Sequence, residues 1–352
     1  MMRALIVGVC ALAMVACGKE KTSGEGGATP PDPVVPPGPG PQPQQKELVF
    51  QLKVATVNLL KPEGRRSEMS LEKESVRGAL GASIAETGAS LIAFNELDDV
   101  FIAGWEELFS GIPSEARESF SSWEWSLEWP NDIKESGEVL YSYSNGFAYD
   151  SEVLELKESG YVWLSKEEGG KWYTDPAEAY KKVGSPERTC IWTRFVHRAT
   201  GKEFHFFVTH LPTSSQGGGE TMAMNVLWFA RSKAPDGWQV LCGDFNSAPG
   251  SNERPYNVLK ASWSDAYETV GAAGKLGPYA TCPGTLSGSS TKYYYTVDVY
   301  TKDPKRRIDH IMTRGDCSAS TYATVVHTYF YSGKYWCPSD HLPVVATIDF
   351  YE

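Results

Sequence analysis

The chain has 352 residues and carries 33 Lys and Arg against 44 Asp and Glu, a formal charge of −11. That balance opposes loose binding to polyanions, because non-specific nucleic-acid affinity comes mainly from clustered Lys and Arg; a local basic groove is still allowed. From Glu47 to Glu352 the composition is globular, long enough for one large α/β core, and interrupted by no second linker.

The first segment, Met1-Met2-Arg3 followed by an apolar run from Ala4 to Ala16, has the layout of an export signal and is too short to span a membrane. Val15-Ala16-Cys17 resembles the lipobox of bacterial lipoproteins, with Met14 where Leu is more usual. The resemblance implies that Cys17 is lipidated, that residues 1–17 are a signal peptide, and that the protein sits on the cell envelope. Cys10 fits less well because Val9 precedes it. Residues 18–46, rich in Pro, Gly, Ser and Gln, read as a solvated tether.

In the body, Leu48 to Leu60 reads as a first strand with Asn58 at its end. Residues 70–87 read as a helix with Ser70 as N-cap and Gly88 just past its end. Leu91 to Glu96 is a short buried strand finishing on a carboxylate, which is costly to desolvate without a partner such as a metal ion. The aromatic stretch around Trp123, Trp125 and Trp129 reads as a core cap or a substrate wall. Asn145 to Tyr149 is a strand, Val153 to Leu164 a strand pair, and Arg188 enters a further strand ending at Val196. Glu203 to Val208 runs straight into Thr209-His210. Thr221 to Ala234 reads as a helix with Met222, Val226, Leu227 and Phe229 inward. The run Trp238 to Cys242 leads into Gly243-Asp244-Phe245-Asn246. On an extended chain, Asp244 and Asn246 face the same side. Residues 248–303 read as a long irregular region, the sort of loop that carries specificity. Arg307-Ile308-Asp309-His310 follows, then Ser339-Asp340-His341-Leu342-Pro343 before a last strand, Val344 to Phe350.

Asn58, Glu96, His210, Asp244, Asn246, Asp309, Asp340 and His341 thus all sit at or beside strand ends. Open α/β architectures put their chemistry there. Oxygen donors outnumber the imidazoles, thiolates are lacking, and no His-x-x-x-His spacing occurs. This suits Mg²⁺, with Mn²⁺ or Ca²⁺ as alternatives, better than zinc. Asp309 can orient His341 and stabilise its imidazolium. No P-loop, dinucleotide fingerprint or Gly-x-Ser-x-Gly elbow is present. Cys190, Cys242, Cys282, Cys317 and Cys337 do not form a metal-finger pattern, though in an oxidising compartment Cys282, Cys317 and Cys337 could supply one disulfide.

Together these pieces resemble the endonuclease/exonuclease/phosphatase superfamily, the fold family of deoxyribonuclease I. Val57-Asn58, Asn95-Glu96, Thr209-His210-Leu211, Gly243-Asp244-Phe245-Asn246, Arg307-Ile308-Asp309-His310 and Ser339-Asp340-His341-Leu342-Pro343 occur in the family's order across residues 48–352. The resemblance implies a four-layer α/β sandwich, two packed mixed sheets flanked by helices, as one catalytic domain over 47–352. It also implies a Mg²⁺-dependent phosphoester hydrolase, expected to be a monomer. In it Glu96 is the principal metal ligand, with Asn58 and Asp340 assisting. Asp244 orients or activates water, Asn246 holds the phosphate, and His210 and His341 donate to its oxygens while Asp309 pairs with His341. Arg188 and Tyr141 are softer matches to phosphate-contacting positions.

The chain departs from the family in having Asn95 where Gln usually precedes the metal Glu. Pro212-Thr213-Ser214 after His210-Leu211 resembles the deoxyribonuclease-like members and tilts the expectation toward a phosphodiesterase or nuclease. The alternatives are a phosphomonoesterase on sugar or inositol phosphates, a phospholipase-like enzyme on lipid headgroups, and a noncatalytic surface lipoprotein that binds its ligand in the old cleft.

Overall fold

The structure, a computed structural model, describes residues 46–65, 67–97, 123–126, 134–135, 138–139, 144–165, 172–174, 188–250, 252, 254–282 and 306–352. Cys17, the tether to residue 45, Tyr141, much of the aromatic stretch and residues 283–305 lie outside them. In chain order the elements are β1 (Leu48–Asn58), α1 (Glu74–Glu86), β2 (Leu91–Leu97), β3 (Trp123–Ser126), β4 (Lys134–Glu135), β5 (Glu138–Val139), β6 (Ser144–Asp150), β7 (Leu154–Leu164), β8 (Trp172–Tyr173), β9 (Arg188–His197) and β10 (Lys202–Thr209). There follow α2 (Gly219–Lys233), β11 (Gln239–Asp244), α3 (Arg254–Lys260), β12 (Ser264–Asp265), α4 (Ala266–Thr269), β13 (Lys275–Leu276), β14 (Asp309–Arg314), β15 (Cys317–Thr324), β16 (Tyr329–Tyr331), β17 (Lys334–Trp336) and β18 (Val344–Tyr351).

Two seven-stranded sheets run β13-β15-β18-β1-β2-β6-β3 and β12-β14-β11-β10-β9-β7-β8. The period of two sorts each strand's residues between two cores. Leu52, Val54, Leu91, Ala93, Phe147, Phe206, Val208, Val240, Cys242 and Ile311 meet between the sheets. The alternate residues face helices. Ala55, Val57, Ile92 and Phe94 pack with Leu80 and Ile84 of α1, while Phe207, Leu241 and Met312 pack with Met222, Val226 and Phe229 of α2. Because each strand is apolar on both faces, each sheet has to be covered on both sides, and a helix–sheet–sheet–helix sandwich results.

Each sheet contains a parallel pair joined through a helix, β1 with β2 through α1 and β10 with β11 through α2, and β13 also pairs parallel with β15. Both pairs end at the same edge of the sandwich, and β1 and β2 pack against β11 there.

Several sequence expectations need correction. The first helix begins at Glu74 after Lys73, while Ser70 accepts from Glu72 N (3.3 Å) in the preceding turn. Val153–Leu164 is not a strand pair but one 11-residue strand, because β9 pairs with it along its whole length around a bulge between Leu156 and Glu158. Residues 248–303 are not irregular throughout: α3, β12 and α4 form where Tyr256, Leu259 and Ala266 bury apolar surface. The five cysteines among the described residues are all free, buried thiols.

Candidate active site

The inter-sheet core turns polar at one end. Continuing the inward phase of Val54, Ala93, Phe147, Ile191, Cys242 and Ile311 leads to Asn58, Asn95, Asn145, Thr189, Asp244 and Asp309, all buried. The ladders set these residues side by side, Asn58 opposite Asn95, Asn95 opposite Asn145, and Asp244 opposite Asp309. Gly243 permits the close approach that this needs. Its φ is 144°, and a Cβ there would collide with the Thr209 carbonyl.

Glu96 and Asn246 leave this pattern. Both are non-glycine residues in the left-handed region, at φ 56° and 49°. Glu96 occupies the extra position of a bulge in β2, between Asn95 and Leu97 of the β6 pairing, so the strand continues past the carboxylate rather than ending on it. Asn246 and Asp244 do not converge by strand alternation, as the sequence suggested. The chain turns, and Asn246 N donates to Asp244 Oδ1 at 2.7 Å. Left-handed backbone in non-glycine residues is costly and clusters at functional sites.

The two histidines are held in opposite states. Asp309 Oδ2 lies 2.7 Å from His341 Nδ1. Burial opposes a charge on His341, but Asp309 foremost, with Cys282, Asp340 and Asp244, outweighs it and raises the imidazole well above its ordinary range. His210 is lowered well below that range, by burial first and then by Arg188, His341 and Lys61. Its Nε2 lies 3.0 Å from Asn246 Nδ2 and 3.4 Å from Asp244 Oδ2, and Asn246 Nδ2 also donates to Leu211 O (2.9 Å). The His341 Nε2 is 3.7 Å from the same Asp244 oxygen. The surroundings thus favour a charged His341 and a neutral His210 on either side of one Asp244 oxygen.

Negative charge here exceeds what the side chains neutralise. Burial first, then neighbouring carboxylates, push Asp244 up to about 7 and Asp340 up to about 6 against the pull of His341 and, at Asp340, of Arg65. Among the described residues, Asp309 Oδ1 and Asp340 Oδ1 are buried without a hydrogen-bond partner. Such a donor set fits a divalent cation, which would supply the missing positive charge. Ligand atoms of Asp244, Asp309 and His341 lie within 4.8 Å of one another. An imidazolium has no lone pair to offer, so His341 belongs with Asp309 as an acid–base pair and the oxygens are left for the ion. Asn58 lies between the carboxylates. Its Nδ2 faces Glu96 Oε1 (3.3 Å) and Asp244 Oδ2 (3.2 Å), and its Oδ1 accepts from Leu60 N (3.0 Å). An N–H can only donate, so this amide presents a donor rather than a ligand oxygen. The other oxygen of Glu96, Oε2, accepts from Lys61 N (3.0 Å).

Asn95 contributes more than its place beside Glu96 indicated. Its Oδ1 accepts from Asp244 N (2.8 Å), and its Nδ2 donates to Thr209 O (3.2 Å) and Asn145 Oδ1 (2.7 Å). Asn145 Nδ2 in turn donates to Thr189 Oγ1 (2.9 Å) and Thr189 O (3.2 Å). One amide thus ties the sheet carrying Glu96 to the backbone beside His210 and at Asp244. Arg188 is one residue out of phase, on the helix side of β9, where its Nη2 donates to Gln216 Oε1 (3.1 Å) of the loop after His210. The sequence reading missed Arg65, whose guanidinium donates to the carbonyls of Leu59, Leu60 (2.8 Å), Met69 (3.1 Å) and Pro338 (2.9 Å). It binds the chain after Asn58 to the chain before Asp340. It also missed Ser339, whose Oγ donates to Asn58 O (2.8 Å). A usable signal existed for Asn145 and Thr189, which are polar residues at phases that are apolar farther along the same strands.

His310 is structural. It is fully buried, stacked on Phe245 with ring centroids 4.9 Å apart, and its Nε2 lies 2.9 Å from Ser247 O. Behind it Arg307 makes a two-pronged pair with Asp265 (3.1 and 2.7 Å), to which Tyr256 OH also donates (2.7 Å).

A sequence model described as the Endonuclease/Exonuclease/phosphatase family matches residues 76–341. No curated protein matches the chain. Among solved structures, a mannosyl-6-phosphatase of Bacteroides thetaiotaomicron is 20% identical with a TM-score of 0.62, over 85% of this chain and 100% of that one. An endonuclease/exonuclease/phosphatase family protein of the same organism is 19% identical with a TM-score of 0.61, over 87% and 99%. The D. rerio TDP2 complexed with a single-strand DNA product is 14% identical with a TM-score of 0.54, over 85% and 98%. At these identities the likeness is one of fold.

Proposed function

Because the chain belongs to the endonuclease/exonuclease/phosphatase family, and so hydrolyses phosphoester bonds, we propose that it is a Mg²⁺-dependent enzyme acting on a small phosphoester, anchored through Cys17 at the cell envelope. The observation that carries the reading is the geometry around Asp244, one oxygen of which has His210 Nε2 at 3.4 Å and His341 Nε2 at 3.7 Å, with Asp309 on His341 Nδ1 and the buried Oδ1 atoms of Asp309 and Asp340 lacking a hydrogen bond among the described residues. Glu96, linked to Asp244 through Asn58 Nδ2 (3.3 and 3.2 Å), would hold Mg²⁺ together with Asp244 and Asp340, and the ion would supply Lewis acidity toward a phosphoryl oxygen. Asp244 orients the attacking water. His341, held by Asp309, donates to a nonbridging oxygen and stabilises the charge that develops there. His210 and the Asn246 amide, which contact each other at 3.0 Å, hold the phosphate against the turn after β11 once that contact opens and frees their donors.

The run His210-Leu211-Pro212-Thr213-Ser214 supports a phosphodiester substrate, while the charge of −11 disfavours a long polynucleotide. The mannosyl-6-phosphatase among the structural neighbours supports a phosphorylated sugar as the second reading. The test is hydrolysis of bis(p-nitrophenyl) phosphate and p-nitrophenyl phosphate by the purified protein with Mg²⁺, with Mn²⁺ and with EDTA, beside Glu96→Ala and His341→Ala. Metal-dependent turnover lost in both variants is the expected result. Turnover that survives EDTA, or that persists in both variants, would sink the reading.

A further inference from the structure

A cleft of about 240 Å³ opens directly on Asn246, between Pro212, Thr213 and Ser214, the glycines 217–219, and Glu220, Asn252, Arg254 and Pro255. Its walls are the segments that follow His210 and Asp244, so whatever is joined to a phosphate held by those residues lies within reach of it. The walls are built in advance. Gln216 Oε1 accepts from both Thr213 N (2.9 Å) and Arg188 Nη2 (3.1 Å), which ties the loop to a buried arginine of β9. Gly219 lies so near Pro255 that a Cβ would come within 3.0 Å of its ring.

The lining has a chemical bias. Arg254 Nη1 and Glu220 Oε2 form an ion pair at 3.1 Å, and both side chains keep solvent access, at 75% and 46% exposure. The lining therefore carries no net charge. A guanidinium whose charge a carboxylate offsets attracts a further phosphate of a nucleic-acid chain less than a free one does. A vicinal diol is served by such a pair, since one hydroxyl donates to the carboxylate and another accepts from the guanidinium. Thr213, Ser214 and Asn252 add neutral polar groups, and Pro212 and Pro255 add apolar surface for the C–H face of a ring. The volume falls below the roughly 300–1,000 Å³ of a drug-sized pocket, so the cleft takes one small group rather than a chain.

We propose that this cleft binds the neutral polyhydroxyl group esterified to the phosphate, a single sugar ring, and that Glu220 and Arg254 set the enzyme's preference for it. The proposal rests on the phosphoester-hydrolase reading and adds the substrate class. Turnover of glucose 6-phosphate, mannose 6-phosphate, p-nitrophenyl phosphate and a short single-stranded oligonucleotide is measured with Mg²⁺ for the full-length protein, Glu220→Gln and Arg254→Ala. Both substitutions are at exposed positions, and melting temperatures verify folding. The expected result is turnover of a hexose phosphate whose KM rises about tenfold in each variant, the weight of one charge-assisted hydrogen bond, with kcat little changed and the p-nitrophenyl phosphate constants within about twofold. A hexose-phosphate KM unmoved by either substitution, or an equal loss on both monoesters, overturns the proposal. So does turnover of the oligonucleotide with none of the sugar phosphates, which leaves the hydrolase reading standing. If none of the four is turned over, the bis(p-nitrophenyl) phosphate assay above decides the hydrolase reading separately. Calorimetric titration with mannose 6-phosphate then decides the cleft: saturable binding weakened by Glu220→Gln upholds it, and no binding overturns it.

Discussion

Asp244 and Asp265 are both fully buried, and both face β14 from neighbouring strands, yet their surroundings treat charge in opposite ways. Around Asp265 every charge is answered. Burial alone would raise its carboxyl, but the neighbouring His310 and the Arg307 guanidinium hold it far below the usual carboxylate range. Around Asp244, burial and the neighbouring Asp309 and Glu96 prevail over His341, and the carboxyl rises to about 7. The first cluster is complete as it stands. The second is completed by something that arrives from outside, a cation or a substrate. A buried carboxylate therefore indicates function through the charge left over around it rather than through its burial.

The sharpest way to break the comparison is to neutralise each carboxylate system in turn. For Asp244→Asn the expected fall in kcat is about 10²- to 10⁴-fold, the scale of a lost proton-handling group, while urea unfolding without divalent metal shows no loss of stability. For Arg307→Ala the expected loss is about 3–5 kcal/mol in urea unfolding, because Asp265 is left buried and unpaired. Equal stability losses in the two variants would erase the distinction. Added Mg²⁺ should raise the melting temperature of the wild type, by the equivalent of about 2.7 kcal/mol at a hundredfold excess over Kd, and should do so much less in Glu96→Ala or Asp340→Asn. A similar shift in all three would remove these carboxylates from the ion's site. Asn95→Ala should cost about 1–3 kcal/mol, since Asp244 N and the Thr209 carbonyl both lose a buried partner, and kcat should fall with KM little changed. An unaltered kcat would make Asn95 a purely structural residue. The smallest effect is in pH. A depressed carboxylate contributes stability above its unfolded value, about 3.9, and that contribution fades as pH falls toward the much lower folded value. The stability gap between wild type and Asp265→Asn should therefore stay constant from pH 7 to about 5 and narrow only below about 4.

Much of the centre was legible in the sequence because it depends on strand ends. Asn58, Glu96, His210 and Asp244 follow or close an apolar run, Asp309 and His341 open or precede one, and alternate packing between two cores brings those ends to one edge. What was not legible depends on distance along the chain or on a turn. Asp265 and Arg307 are 42 residues apart, and Asn95 bonds to Asp244 across 149. No local pattern announces such partners. The convergence of Asp244 and Asn246 was expected from strand alternation and arises from a turn at positive φ instead. Arg65 resembles any loop arginine until its four carbonyl partners are seen.

Glu96 and Asn246 hold backbone conformations that glycine adopts freely and that other residues adopt at a cost, about 1–2 kcal/mol for most and less for asparagine. A library of this protein selected for heat resistance alone would therefore drift toward Gly at 96 and 246 and grow tougher as it lost its chemistry. Selection for turnover would restore both side chains. The two positions record a conflict between durability and catalysis that any attempt to harden the enzyme will meet first.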